Sequence, residues 1–397
     1  MPLRVGLVAG EASGDTLGAS LIKAMLPLAP DAQFFGIAGP KMHAAGCEIW
    51  EPAESLAVMG LFEVLRDLPR LLKLRARVRR QFLAAKPDVF VGIDAPEFNL
   101  RLARDLRAAG IPTVQYVSPQ VWAWRQSRVH GMARSVDLVL CLLPFEKRFY
   151  GSQGVAAEFV GHPLADAIPL EVDRRRARAE LNLADDAQVV ALLPGSRRGE
   201  VARLAGDLAA TARWLARERP QLRFIAPMAS DTVRDIFSRV LKRLAPQVEV
   251  CLRDGEAQTA LIAADVALIA ADVALVASGT ASLEAALCKR PMVVVYRLGA
   301  MSAWIIRRLN LVKSKYFSQP NLLADRRVVG EYFQEQIVPE SIGAELLTWL
   351  DDSGRRAILE QEFMAIHVEL KRGASARAAQ AIVALLAARR PPAADSA

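Results

Sequence analysis

The chain has 397 residues, 52% of them hydrophobic, a net charge of +8, and only 4 histidines and 4 cysteines. That length and apolar content predict two domains of ordinary size, each with a full core. The widely separated Cys47, Cys141, Cys251 and Cys288 exclude a metal-type or redox cysteine pair and read as free thiols in a reducing compartment.

The modest basic excess suits phosphorylated small molecules, an anionic membrane surface or nucleic acid, and does not choose among them. No stretch reads as a signal peptide, because the apolar start at 5–9 meets Glu11 and Asp15 at once. The most apolar long stretch, 261–287, carries Asp265, Asp272 and Glu284. An aspartate at mid-bilayer costs about 2.5–3.5 kcal/mol, so no spanning helix is expected. The expectation is a cytoplasmic protein that at most lies on a membrane.

The first apolar strand, 4–9, ends in Gly10-Glu11-Ala12-Ser13-Gly14-Asp15. Ser13 is predicted to cap the helix that follows. Glu11 and Asp15 read either as ligands for sugar hydroxyls or as acids at a positive helix end. After a strand at 32–37, Gly60-Leu61-Phe62 leads into Arg66, Arg70, Lys73, Arg75, Arg77, Arg79 and Arg80 on a helix over 65–83. That mixture suits either an anionic membrane or a solvated helix face. No recognition motif accompanies the charge, which speaks against nucleic acid.

Strand 88–93 delivers Asp94, just before Pro96. A carboxylate there can be a general base at the reactive end of a buried strand, or a helix cap. Strand 113–117 runs into Ser118-Pro119-Gln120-Val121-Trp122-Ala123-Trp124-Arg125. These aromatics read as the lining of a sugar or acyl pocket, or as core packing. Strands at 136–142 and 157–160 complete the first set. The proline-rich stretch from Gly161-His162-Pro163 to Ile168-Pro169 marks the hinge between domains.

The second set opens with the stretch 189–200. Its apolar strand stops at Pro194-Gly195 and is followed by Ser196, Arg197 and a long amphipathic segment. A tight turn onto a helix start, with a guanidinium beside it, suits a phosphate. An ordinary strand-to-helix turn is the alternative. Strands follow at 223–226, 248–252, 273–276 and 292–296. The sequence Ile262-Ala263-Ala264-Asp265-Val266-Ala267-Leu268 is repeated at once as 269–275. Seven added helical residues keep the same face inward, whereas seven added strand residues invert the faces. The first copy is therefore predicted as helix or loop and the second as strand. After 273–276, Ser278-Gly279-Thr280 can present amides and hydroxyls to a diphosphate, and Glu284 lies one turn on, within reach of ribose hydroxyls. Two βα alternations of this kind predict an α/β chain of two doubly wound, Rossmann-like domains with a ligand cleft between them. No Asp-x-Asp pair follows a strand to carry a metal, so no metal and no cofactor are expected.

Eight ordered stretches, 9–15, 36–42, 92–99, 115–124, 160–164, 192–197, 278–284 and 319–323, together resemble the bacterial lipid-A-disaccharide synthases. That family consists of glycosyltransferases of the two-Rossmann-domain (GT-B) type. The departures are Ala38 and Asp325, where the family commonly has glycine, and the doubled heptad.

The resemblance implies an inverting transfer from UDP-2,3-diacylglucosamine to the 6-hydroxyl of 2,3-diacylglucosamine 1-phosphate (lipid X), giving lipid A disaccharide 1-phosphate and UDP. Asp94 and Arg197 would be catalytic. Gly195, Ser196, Arg197, Ser278, Gly279, Thr280 and Glu284 would hold the donor, with Asn321 added by resemblance alone. Glu11, Ser13, Asp15, Gln120 and Trp122 would hold the acceptor. The implied layout is an acceptor and membrane-facing domain over 1–167, a UDP-sugar domain over 168–345, helices over 346–390 packing back on the first domain or a partner subunit, and a disordered tail over 391–397. The protein would sit peripherally on the cytoplasmic face of the inner membrane, with a homodimer left open. The alternatives are another GT-B UDP-sugar enzyme, such as a 2-epimerase, and a non-catalytic nucleotide-binding or membrane module.

Overall fold

The computed structural model describes residues 2–56, 61–119, 122, 129–254, 266–299, 308 and 314–389. The chain forms two compact units, Met1–Asp166 with Leu370–Ala397, and Ala167–Glu369. The tail over 391–397 lies outside the described residues.

The first unit runs β1 (Arg4–Ala9), α1 (Ala12–Met25), β2 (Gln33–Ala38), α2 (Pro40–Ala44), β3 (Cys47–Pro52), α3 (Leu61–Ala85), β4 (Val89–Ile93), α4 (Pro96–Ala108), β5 (Thr113–Tyr116), α5 (Val129–Ala133), β6 (Leu138–Cys141), α6 (Pro144–Gly151), β7 (Ala157–Phe159) and α7 (Pro163–Ala167). Its seven strands lie in the order β3-β2-β1-β4-β5-β6-β7, each pair parallel. The central strands are buried along nearly all their length, which is why β1 and β4 read as apolar runs. Helix α3 lays Leu74, Val78 and Phe82, four residues apart, onto one face. Phe82 fits where Gly6 has no side chain, since a Cβ on Gly6 would come within 2.6 Å of the ring.

The second unit runs α8 (Arg174–Glu180), β8 (Val189–Leu193), α9 (Arg198–Glu218), β9 (Arg223–Met228), α10 (Asp231–Leu244), β10 (Val250–Asp254), β11 (Val273–Ala277), α11 (Thr280–Leu287), β12 (Met292–Tyr296), α12 (Gln319–Ala324), β13 (Gly330–Phe333), α13 (Pro339–Asp351) and α14 (Ser353–Leu370). Its sheet is again parallel, in the order β10-β9-β8-β11-β12-β13. In both sheets the winding direction reverses once, between β1 and β4 and between β8 and β11. Ligands of such folds bind outside the carboxyl ends of the two strands flanking that reversal.

Two strands escape the sequence pattern, β3 and β13, and both lie at a sheet edge. Edge strands bury less: β3 is buried only at Cys47, and β13 mainly at Gly330. The doubled heptad resolves as expected where it is described. Residues 266–270 are helical, and the second copy enters β11 at Val273.

The chain returns to the first unit as α15 (Ala374–Arg389), which packs on α1. Asp166 caps this helix, accepting Gly373 N at 2.8 Å and Ala374 N at 2.6 Å. Gly161 adopts φ +94°, and a Cβ on it would lie 2.6 Å from Arg372 Cβ. Burial lowers the beside-lying His162 to about 4, so the imidazole is neutral and its Nδ1 accepts Leu164 N at 3.2 Å. Among the described residues, no helix is long and apolar enough to cross a membrane.

Candidate active site

In the second unit, the turns after β8 and β11 meet around one cavity of about 310 Å³. Gly195, Ser196, Arg197, Glu200, Ser278, Gly279, Thr280 and Glu284 line it, with Pro227, Met228 and Ala229 from the end of β9. Seven of the eight expected donor residues thus line one cavity. Helix α9 starts after Arg197 and α11 after Gly279, and neither N-cap makes a side-chain capping bond. Amides at such starts carry a partial positive charge. Gly279 has φ +156°, and a Cβ there would meet open space, so the constraint is conformational rather than steric.

Gly195 is different. At φ +110°, its missing Cβ leaves room for the carboxylate of Glu200, which would lie 2.2 Å from that Cβ. The space at Gly195 is therefore filled by this chain. Glu200 Oε2 accepts Ser196 N at 3.3 Å and shapes the turn. Burial raises the Glu200 carboxyl above its ordinary range, against the pull of the nearby amides and of Arg197 and Arg203. The Ser278 hydroxyl donates to Phe317 O at 3.1 Å, tying the turn to the segment before α12.

The eighth donor residue is elsewhere. Asn321 is fully buried, its Oδ1 accepts Val328 N and Val329 N at 2.8 and 3.0 Å, and its Nδ2 donates to Val329 O at 3.0 Å. It clamps the loop before β13 and does not line the cavity. Nearby, Asp325 ends α12 at φ +50°, a left-handed position of the kind glycine favours.

In the first unit, Glu11 and Asp94 follow β1 and β4, the neighbours that flank the reversal. Their loops touch: a Cβ on Gly10 would come within 2.7 Å of Ala95 Cβ. Asp94 is half-buried, and both Asp94 (φ +52°) and Ala95 (φ +40°) are left-handed. Non-glycine residues there cost about 1–2 kcal/mol each, a strain that collects at functional sites. The cap reading of Asp94 gives way, because the N-cap of α4 is Ala95 and Pro96 opens the helix.

Two acceptor-side expectations are corrected. Ser13 does not cap α1; the helix starts at Ala12 and its N-cap is Glu11. Asp15 is buried, and its oxygens accept Gly39 N, Lys41 N and Met42 N at 3.0, 2.9 and 2.9 Å. From α1 it caps the neighbouring α2 and is not an open ligand. Glu11 and Ser13 remain exposed. Gln120 lies outside the described residues. Trp122 is half-buried, its Nε1 donates to Glu146 Oε1 at 3.1 Å, and its ring meets Phe145 edge-on at 4.8 Å. Glu146 itself is buried and raised to about 7, chiefly by desolvation.

The sequence reading missed Glu200, Met228 and Glu146. Glu200 carried a usable signal, since a helix-start carboxylate three residues after an N-cap reaches back to amides. Glu146 offered the same signal, closing on Leu143 N at 3.0 Å.

A family model described as lipid-A-disaccharide synthetase matches residues 5–385. The lipid-A-disaccharide synthase of Serratia proteamaculans is 48% identical over 384 residues, covering 97% of this chain and 98% of its own. That of Chromohalobacter salexigens is 49% identical over 390 residues, covering 98% and 99%. Among solved structures, the UDP-GlcNAc 2-epimerase from Neisseria meningitidis bound to UDP-GlcNAc aligns with a TM-score of 0.62 at 12% identity, covering 98% of this chain and 100% of that one. A calicheamicin glycosyltransferase aligns at 0.58 and 16% identity, with 98% and 100% covered. At such identities these two likenesses concern fold alone.

Proposed function

This chain belongs to the lipid-A-disaccharide synthase family, and from that premise we propose how its residues divide the work. The fold is of the two-Rossmann, GT-B type. The enzyme is a glycosyltransferase that makes the lipid A disaccharide from a UDP-linked diacylglucosamine and lipid X, and the epimerase reading has no support over it.

In the proposed mechanism the donor diphosphate lies in the second unit's cavity. The amides opening α9 and α11 and the Arg197 guanidinium meet its oxygens. As the glycosidic bond breaks, negative charge grows on the departing UDP, and the same groups stabilise it. Glu284 accepts from the ribose hydroxyls. Asp94 takes the proton from the acceptor's 6-hydroxyl as that oxygen attacks the anomeric carbon, and the centre inverts. Glu11, Ser13 and Trp122 contact the acceptor.

The observation that carries this reading is the cavity itself, lined by Arg197 and by two helix starts whose N-cap side chains make no capping bond. Calorimetric titration with UDP tests it. Arg197→Ala is expected to weaken UDP binding about 10–100-fold, in line with loss of a charged hydrogen bond. Unchanged affinity would move the diphosphate elsewhere.

Membrane contact is the second part of the proposal. Helix α3 exposes Leu68 and Leu72, one turn apart, in a stretch that also exposes Arg70 and Lys73. An apolar strip flanked by cations suits an anionic bilayer surface.

A further inference from the structure

Two buried carboxamides have no part in the steps above, yet they converge on one atom. Asn99, in the first turn of α4, donates from Nδ2 to Asp94 O at 2.8 Å, with Val8 O and Ile93 O at 3.3 and 3.4 Å. Gln115, on β5, donates from Nε2 to the same Asp94 O at 3.0 Å and lies 3.2 Å from Val117 O. Both residues are fully buried. Their own oxygens, Asn99 Oδ1 and Gln115 Oε1, have no partner among the described residues. Burying a carboxamide with its acceptor unmet is unfavourable, so an apolar side chain would serve packing better.

The backbone around them is also arranged for them. Gly92 has no Cβ where one would lie 2.8 Å from Asn99 Cβ. Three left-handed non-glycine residues, Asp94 (φ +52°), Ala95 (φ +40°) and Val117 (φ +72°), border the two amides.

We infer that Asn99 and Gln115 are positioning residues: together they pin the Asp94 carbonyl, hold the left-handed Asp94–Ala95 peptide, and so aim the Asp94 carboxylate. The inference rests on Asp94 acting as the base.

The test is a double-mutant cycle on the intact enzyme, with UDP release as the readout. Asn99→Leu and Gln115→Met roughly keep size but remove the donating nitrogen. Each is expected to lower kcat about 100-fold with the donor KM unchanged, as a misplaced reacting group does. In an Asp94→Asn background, neither should lower the residual rate further, because the group they aim is already gone. A further loss of the same factor in that background would overturn the inference, and so would a raised KM with normal kcat. Asp94→Asn alone reports on the base role, so failure of that reading is seen separately. Melting curves give the folded fraction of each variant. Should Asn99→Leu not fold, Asn99→Ala removes the donor with a smaller side chain and completes the cycle.

Discussion

Asp15→Ala separates a structural carboxylate from a substrate ligand. In the wild-type chain, Asp15 takes three backbone amides at the start of α2, two of them through Oδ1 and one through Oδ2. Hydrogen bonds to a charged group are worth roughly 1.5–3 kcal/mol each. The Lys41 amide is only partly buried and regains water when the carboxylate is removed. A net loss of about 3 kcal/mol is therefore expected, which for a unit of this size lowers Tm by about 6–12 °C. Gly39 sits tight against the same carboxylate, where a Cβ would come within 2.5 Å, so the loop has little room to find another arrangement. Calorimetric melting reads the stability, and UDP release at low temperature, scaled to folded protein, reads the function. The expected outcome is a large fall in Tm with kcat/KM for the acceptor within about threefold of wild type, since no ligand contact is lost. A Tm within 2 °C of wild type together with a tenfold rise in acceptor KM would refute the reasoning and return Asp15 to the acceptor site.

Arg197→Ala is expected to lower kcat about 100–1,000-fold with little change in Tm, because the exposed guanidinium acts on leaving-group charge and supports no core; equal loss of rate and stability would make it structural. Glu146, raised to about 7 by burial, makes stability depend on pH. A raised folded-state pKa gives stability that is full below the unfolded value near 4.5 and is lost as pH rises through about 7, an effect of roughly 3 kcal/mol. Tm of the wild-type chain should fall across that window, and Glu146→Gln should flatten the slope; an unchanged slope would clear Glu146. Leu68→Ser with Leu72→Ser should release the protein from vesicles containing anionic phospholipid, as should raising the salt, because both the apolar strip and the charge contribute; binding that survives both would place the membrane contact off α3.

The chemistry at strand ends was legible because buried parallel strands read as apolar runs and stop abruptly. Val189 to Leu193 and Val273 to Ala277 announce where Arg197 and the Ser278–Gly279–Thr280 turn must lie, and the strand order then brings them to one cavity. Strands β3 and β13 were not legible, because Glu48 and Glu51 break the run of β3 and β13 is only Gly-Glu-Tyr-Phe, whereas the other edge strands, β7 and β10, were. Partners across the chain were not legible either. Asp15 looked like a ligand because sequence shows a carboxylate at a helix start, and only the folded sheet brings the α2 amides to it from more than twenty residues away. Asn321, placed with the donor by resemblance alone, is likewise engaged by partners further along the chain, Val328 and Val329. Asn99 and Gln115 gave no signal of their own, since a buried amide has no pattern until its acceptor is known.

The most direct measurement is turnover of UDP-2,3-diacylglucosamine with and without lipid X, by wild type and by Asp94→Asn, with products identified by mass. Wild type should release UDP only when lipid X is present, in step with one β-1,6-linked disaccharide 1-phosphate. Asp94→Asn should bind UDP normally and form that product at least about 100-fold more slowly, the lower end of what general-base catalysis contributes. UDP release independent of acceptor, or near-normal turnover by Asp94→Asn, would contradict the account.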